Sequence, residues 1–142
     1  MTYYIVYVSS ATNLMETPEL QVLLDTSRRN NHQLGVTGAM LYQDGNFMQA
    51  LEGDATVVEQ LYRTILRDPR HHGAIRIVDG WSEGPQFSQW SMAFGNLSSD
   101  SSALGVGVRD LFESPPAAGH PSPARTLLSS FRTTLNLRGA DV

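Results

Sequence analysis

Hydrophobic and polar positions alternate along the chain in two rhythms, and each rhythm predicts an element. Tyr3 to Val8 is apolar or aromatic at every position, which predicts a strand buried on both faces and central in its sheet. Tyr3, Ile5 and Tyr7 share one face of it; Tyr4, Val6 and Val8 share the other. Thr17-Pro18-Glu19 then reads as a helix start, with a capping hydroxyl, a proline in the first turn and an acid beside the positive end of the helix dipole. Leu20, Leu23, Leu24 and Ser27 recur at helical spacing, and the pattern ends at Asn30-Asn31. Gly35 to Gly38 reads as a turn and Ala39 to Tyr42 as a second strand. Asp44-Gly45 is a hairpin turn leading into a third strand, Asn46 to Leu51. Gly53-Asp54 opens a second helix whose stripe is Val58, Leu61, Tyr62 and Ile65, and Pro69 closes it. Ala74 to Asp79 and Phe87 to Phe94 complete the series as fourth and fifth strands. The order β-α-β-β-α-β-β predicts an α+β, ferredoxin-like sheet with both helices on one face.

From Ser98 the rhythm weakens. Ala103 to Glu113 predicts a short helix interrupted by Gly105 and Gly107, Ser114 to Ala124 holds four prolines, and Arg125 to Leu137 shows a faint helical period. The chain therefore divides into a domain over residues 1–97 and a partly helical C-terminal extension over residues 98–142, with a capping or assembly role expected for the extension.

Composition narrows the function. The 142 residues suit one such domain, and a net charge of −4 without a basic cluster argues against a nucleic-acid partner. No apolar run approaches the ~20 residues that span a bilayer, and the N-terminus lacks a basic leader pattern, so no membrane association and a cytoplasmic location are expected. The absence of cysteine removes disulfides, thiolate metal ligands, thiol nucleophiles and any cofactor held through sulfur. His71 and His72 are adjacent rather than one helical turn apart, so no metal site is expected.

One polar residue stands out against this background. Gln49 interrupts the apolar strand Phe47-Met48-Gln49-Ala50-Leu51. A buried carboxamide without partners costs ~1–3 kcal/mol, so something polar must meet it. Tyr7, on the neighbouring strand, and Asn31, near the end of the first helix, are the candidates. With Leu23 and Ile65 on the two helices, they describe a socket for a flat, hydrogen-bonding ligand. A self-satisfied Tyr–Gln pair in an ordinary core explains the same residues, and spacing does not separate the two. Asp68-Pro69-Arg70-His71 follows the second helix, where Arg70 suits an anionic group or a solvated turn. Trp90 and Met92 alternate on the last strand as core packing would. Asp54 reads as a helix cap rather than an acid catalyst. No Ser/His/Asp arrangement, phosphate loop or dinucleotide fingerprint occurs, so no catalytic residue is assigned. A small acylphosphatase-type enzyme is one alternative, weakened by Ser9-Ser10-Ala11-Thr12-Asn13 standing where an arginine-bearing glycine loop is needed. An interaction module with no bound ligand is another.

Taken in order, the words Tyr4-Ile5-Val6-Tyr7-Val8-Ser9, Ser27-Arg28-Arg29-Asn30-Asn31, Gly35-Val36-Thr37-Gly38, Gly45 through Gly53, Asp68-Pro69-Arg70-His71 and Trp90-Ser91-Met92 resemble those of the BLUF domains, blue-light sensors that hold FAD noncovalently. The resemblance covers residues 1 to 97 and looks like the short variety without an attached enzyme domain. It implies a photoreceptor in which Tyr7 donates an electron and a proton to the excited flavin. Gln49 then rotates or tautomerises, and the hydrogen bonds at the flavin edge rearrange. It further implies that Leu23 and Ile65 sandwich the ring, although isoleucine is more usual than Leu23. Asn30, Asn31, Phe47, Asp68, Arg70 and His71 would surround the flavin, and Trp90 and Met92 would lie on the strand that responds. FAD is the expected cofactor, with FMN or riboflavin as substitutes. The output is expected to pass to a homo-oligomer or to a partner protein that the sequence does not name.

Overall fold

The computed structural model describes residues 1–87 and 92–96. The chain order is β1 (Thr2–Ala11), α1 (Thr17–Leu34), β2 (Thr37–Gln43), β3 (Asn46–Gly53), α2 (Ala55–Leu66), β4 (His71–Ser82) and β5 (Ala93–Asn96). The strands form one sheet in the order β4-β1-β3-β2-β5. Neighbours are antiparallel except β2 and β5, which run parallel at one edge. The α+β, ferredoxin-like arrangement is as expected.

Strand β1 lies inside the sheet with Ile5 and Val6 fully buried, which is why it lacks a polar face. On the side that meets the helices, Ile5, Tyr7, Met40, Tyr42, Phe47 and Leu51 pack with Leu20 and Leu24 of α1 and with Val58 and Tyr62 of α2. The opposite side is also closed to solvent at Val6, Leu41, Ala50 and Phe87. The two-residue hairpin at Asp44-Gly45 has positive φ at both positions, 48° and 89°, the backbone that matches the twist of β2 and β3.

Several boundaries differ from the sequence expectation; β2 takes in Thr37 and Gly38 from the expected turn, and β4 runs from His71 to Ser82 rather than from Ala74 to Asp79. Thr17 is not the cap of α1: Glu16 occupies that position with extended backbone and no side-chain capping bond, and Thr17 is already helical. The proline in the first turn, which needs no N–H there, is enough to start the helix. At the other end α1 continues past Asn31 to Leu34, and Gly35 closes it in the left-handed conformation at φ 69°. The stripe faded earlier because the last turn carries polar residues, not because the helix stopped. The fifth strand is shorter than Phe87 to Phe94: Phe87 lies in a bend, and β5 begins at Ala93 among the described residues. The amide groups of Gln86 and Phe87 go to a side chain rather than to a ladder. Trp90 and the expected extension over 98–142 lie outside the described residues.

Candidate functional site

Helices α1 and α2 flank a cleft of about 860 Å³, counting its open mouth. Its floor is made by Tyr7, Met40, Phe47 and Gln49, which share the helix-facing side of β1, β2 and β3. Leu23 of α1 and Ile65 of α2 supply apolar walls, Asn30 and Asn31 line the α1 side, and Asp68, Arg70 and His71 lie where α2 gives way to β4. Ten residues expected from the sequence thus face one cavity. Met92 is buried and reaches Gln49 from the β5 side. Ser9, Thr26, Ser27, Leu61 and Thr64 also line the cleft without having been singled out as ligand contacts. Their signals were available: Ser9 has the parity of Tyr7 on its strand, and Leu61 and Thr64 are one turn and one residue from Ile65.

The register explains why Tyr7 and Gln49 meet. They are direct cross-strand partners in the β1–β3 ladder. Directly opposed residues bring their Cβ atoms within about 5 Å, so both side chains project into the same space. The Tyr7 hydroxyl donates to Gln49 Oε1. The Gln49 Nε2 group donates in turn to Met92 Sδ at 3.8 Å. The carboxamide is thereby held between a hydroxyl, which can either donate or accept, and a thioether, which is a weak acceptor. Gln49 is 5% exposed and Tyr7 1%. Burial raises the Tyr7 phenol far above its ordinary range, and the neighbouring Tyr62 and Asp68 add to this. The phenol therefore stays protonated. Tyr62 stacks at a tilt on Tyr7 with centroids 5.1 Å apart, and the Arg76 guanidinium lies over the Tyr62 ring at 4.6 Å.

The mouth is tied by charge. Arg70 forks onto Asp68 with Nε 3.0 Å from both carboxylate oxygens. That guanidinium holds the Asp68 carboxyl below its usual range. His71 Nε2 lies 2.6 Å from the Ile65 carbonyl oxygen. Thr12 bonds the carbonyls of Pro69 and Arg70, so the β1–α1 and α2–β4 connections are fastened together beside the cleft. Among the described residues, no group of three or more His, Asp or Glu side chains is arranged to hold a metal ion, and no helix is long and apolar enough to cross a membrane.

The donor set suits a planar heterocycle. Aliphatic side chains stand on both helices, while carboxamides that both donate and accept stand at the sheet and on α1. A family model described as "Sensors of blue-light using FAD" matches residues 2–93. The chain belongs to this BLUF family. It is 39% identical over 71 residues to the photoactivated adenylate cyclase subunit beta of Euglena longa, a match covering 50% of this chain and 8% of that protein. It is 27% identical over 93 residues to the blue light- and temperature-regulated antirepressor BluF of Escherichia coli, covering 66% of this chain and 23% of that one. The curated relatives are thus far longer than the part this chain matches. Among solved structures, the dark state of BlrB, described as a BLUF protein, aligns with TM-score 0.64 and 27% identity, covering 67% of this chain and 72% of that one. BlrP1 of Klebsiella pneumoniae, solved with FMN and cyclic diGMP, aligns with TM-score 0.77 and 26% identity, covering 94% of this chain and 35% of that one.

Proposed function

We propose that this blue-light sensor domain holds FAD noncovalently in the cleft between α1 and α2 and stores its signal in the hydrogen bonds of Tyr7, Gln49 and Met92. The observation that carries the reading is the Tyr7–Gln49–Met92 chain of contacts on the cleft floor. Leu23 and Ile65 would hold the flat ring, Asn30, Asn31 and Gln49 would address its polar edge, and Asp68, Arg70 and His71 would stand near its side chain. FMN or riboflavin would occupy the same ring site, and the FMN in BlrP1 supports that latitude. A bound flavin supplies a ring that absorbs blue light and becomes a strong one-electron oxidant.

The chain's own residues supply the rest. Tyr7 keeps its proton in the dark because burial disfavours the phenolate. Its proton moves only when an electron leaves with it, and Gln49 Oε1 is already hydrogen-bonded to receive it. The Gln49 carboxamide has two arrangements. In one, Oε1 faces Tyr7 and Nε2 faces Met92; after a half-turn, Nε2 faces Tyr7 and the oxygen faces the sulfur. The exchange loses the weak N–H···S contact and swaps the Tyr7 O–H···Oε1 bond for an Nε2–H···O bond to the same hydroxyl, so a modest bias selects between the arrangements.

We assign the chain a sensing role rather than a catalytic one, located in the cytoplasm, with output through self-association or a partner protein. The segment 98–142 is the proposed place of capping or assembly. The test is spectroscopic. The purified protein should carry a flavin band that shifts reversibly to the red under blue light. A colourless protein that refuses added flavin, or a flavin band that light does not move, overturns the reading.

A further inference from the structure

Glu52 is a buried carboxylate that the switch does not use. It lies three residues from Gln49 on β3, on the opposite side of the sheet, and is 1% exposed. Among the described residues no ion pair is made to it. Instead it accepts from the backbone N–H of Gln86 at 2.7 and 2.9 Å through both oxygens, from the N–H of Phe87 at 3.1 Å, and from the Thr37 hydroxyl at 2.9 Å. Burying a carboxyl group is costly unless its lone pairs are filled, and here they are filled by the backbone that leaves β4. Five positions beyond Phe87 comes Met92, whose sulfur meets Gln49 and whose carbonyl accepts from Arg28 Nε of α1 at 3.0 Å.

We infer that Glu52 and Arg28 are positioning residues for the switch: Glu52 holds the backbone at Gln86 and Phe87, Arg28 holds it at Met92, and together they keep the Met92 sulfur within reach of Gln49. This rests on the sensor reading. The physical logic is that a 3.8 Å contact to a thioether is too weak to place its own partner. The β2–β5 ladder, which begins at Ala93, holds the backbone on one side of Met92, and side-chain bonds hold it at Met92 itself and at Gln86 and Phe87. Loosening either flank moves the sulfur away and removes the one contact that distinguishes the two orientations of the Gln49 carboxamide.

The experiment has two arms, each using the full chain. In the first, amide hydrogen exchange is followed in flavin-free protein. Glu52→Gln leaves one oxygen to accept and turns an NH2 towards groups that donate, so exchange at Gln86 and Phe87 should speed by roughly five- to tenfold, with the β1–β3 ladder unchanged. In the second, thermal return from the red-shifted state is timed in a double-mutant cycle. Glu52→Gln alone should slow it by about threefold, the loss of a weak bond, and should change nothing further once Met92→Leu has removed the sulfur. A merely structural role for Glu52 would alter recovery equally in both backgrounds, and that result overturns the inference. So does unchanged exchange at Gln86 and Phe87. A native protein without any red shift overturns the sensor reading and the positioning role together. If Glu52→Gln does not fold, Thr37→Val removes one bond to the same carboxylate and must show the same pattern at smaller amplitude; its absence there also refutes the clamp.

Discussion

Strand β3 carries two buried polar side chains on its two sides, and their surroundings are opposite in kind. Gln49 meets a hydroxyl, which can bond either end of its carboxamide, and a sulfur, which accepts only weakly. Glu52 meets N–H and O–H groups that only donate to it. On the proposed reading the first site can exchange one hydrogen-bond pattern for another, whereas the second has one. A sheet that must both respond and hold its shape can therefore place the response and the restraint within three residues of each other.

Substitution at the cleft side should produce the largest change in signal and a small change in stability. Tyr7→Phe and Gln49→Leu should each abolish the light-induced red shift while flavin remains bound, measured as a difference spectrum before and after blue light. A normal shift in either variant removes that residue from the switch. Unfolding titration of Gln49→Leu should show a loss of only about 1 kcal/mol, the cost of the unpaired Tyr7 hydroxyl. Glu52→Ala should do the reverse. It strands buried donors and should cost about 3 kcal/mol in the same titration, and should change how fast the red shift recovers rather than whether it forms. If it abolishes the shift in folded, flavin-loaded protein, the two sides of β3 are not separate. Met92→Leu, which keeps volume but removes the acceptor, should alter recovery by a few fold and stability by less than about 1.5 kcal/mol.

The smallest expected effect lies away from both sites, on the α2–β4 flank, and serves as a control. The Arg76 guanidinium and the Tyr3 hydroxyl lower the Glu59 carboxyl from 4.5 to about 2. Its folded value is depressed, so its stabilising contribution is present above pH 4.5 and is lost as pH falls from 4.5 towards 2. Burial, with the bond to Glu59, raises Tyr3 from 10.0 to about 12, so its contribution is complete below pH 10 and is lost as pH rises through 12. Glu59→Gln should flatten both limbs of the stability–pH curve and leave the red shift untouched. A changed red shift would tie this flank to the switch through Tyr62.

Much of the cleft was legible because its residues sit on strongly periodic elements. A polar residue in an apolar strand signals a buried partner, and parity then limits which neighbours qualify; that reasoning selects Tyr7. The helix walls follow from the stripes that hold Leu23 and Ile65. Arg28 and Thr37 gave no such signal. Arg28 lies in a run of polar residues and its partner is a backbone carbonyl 64 positions away, which no side-chain pattern announces. Nor did Glu52 announce its partners, because its donors are amides of a bend that resembled a strand in sequence.

Local sequence decided the elements and the direction each side chain takes from them, since helix and strand periods are properties of a few consecutive residues. It also decided what chemistry was excluded, as a chain without cysteine has no thiol to offer. Tertiary structure decided the pairings. Tyr7 and Gln49 are 42 residues apart and meet only because β1 and β3 align in one register. Gly38 shows the same dependence, since a Cβ there would come within 2.1 Å of the Ala50 carbonyl oxygen on β3. Register is a relation between segments, settled by the summed packing of a whole sheet face, so no window of the sequence contains it.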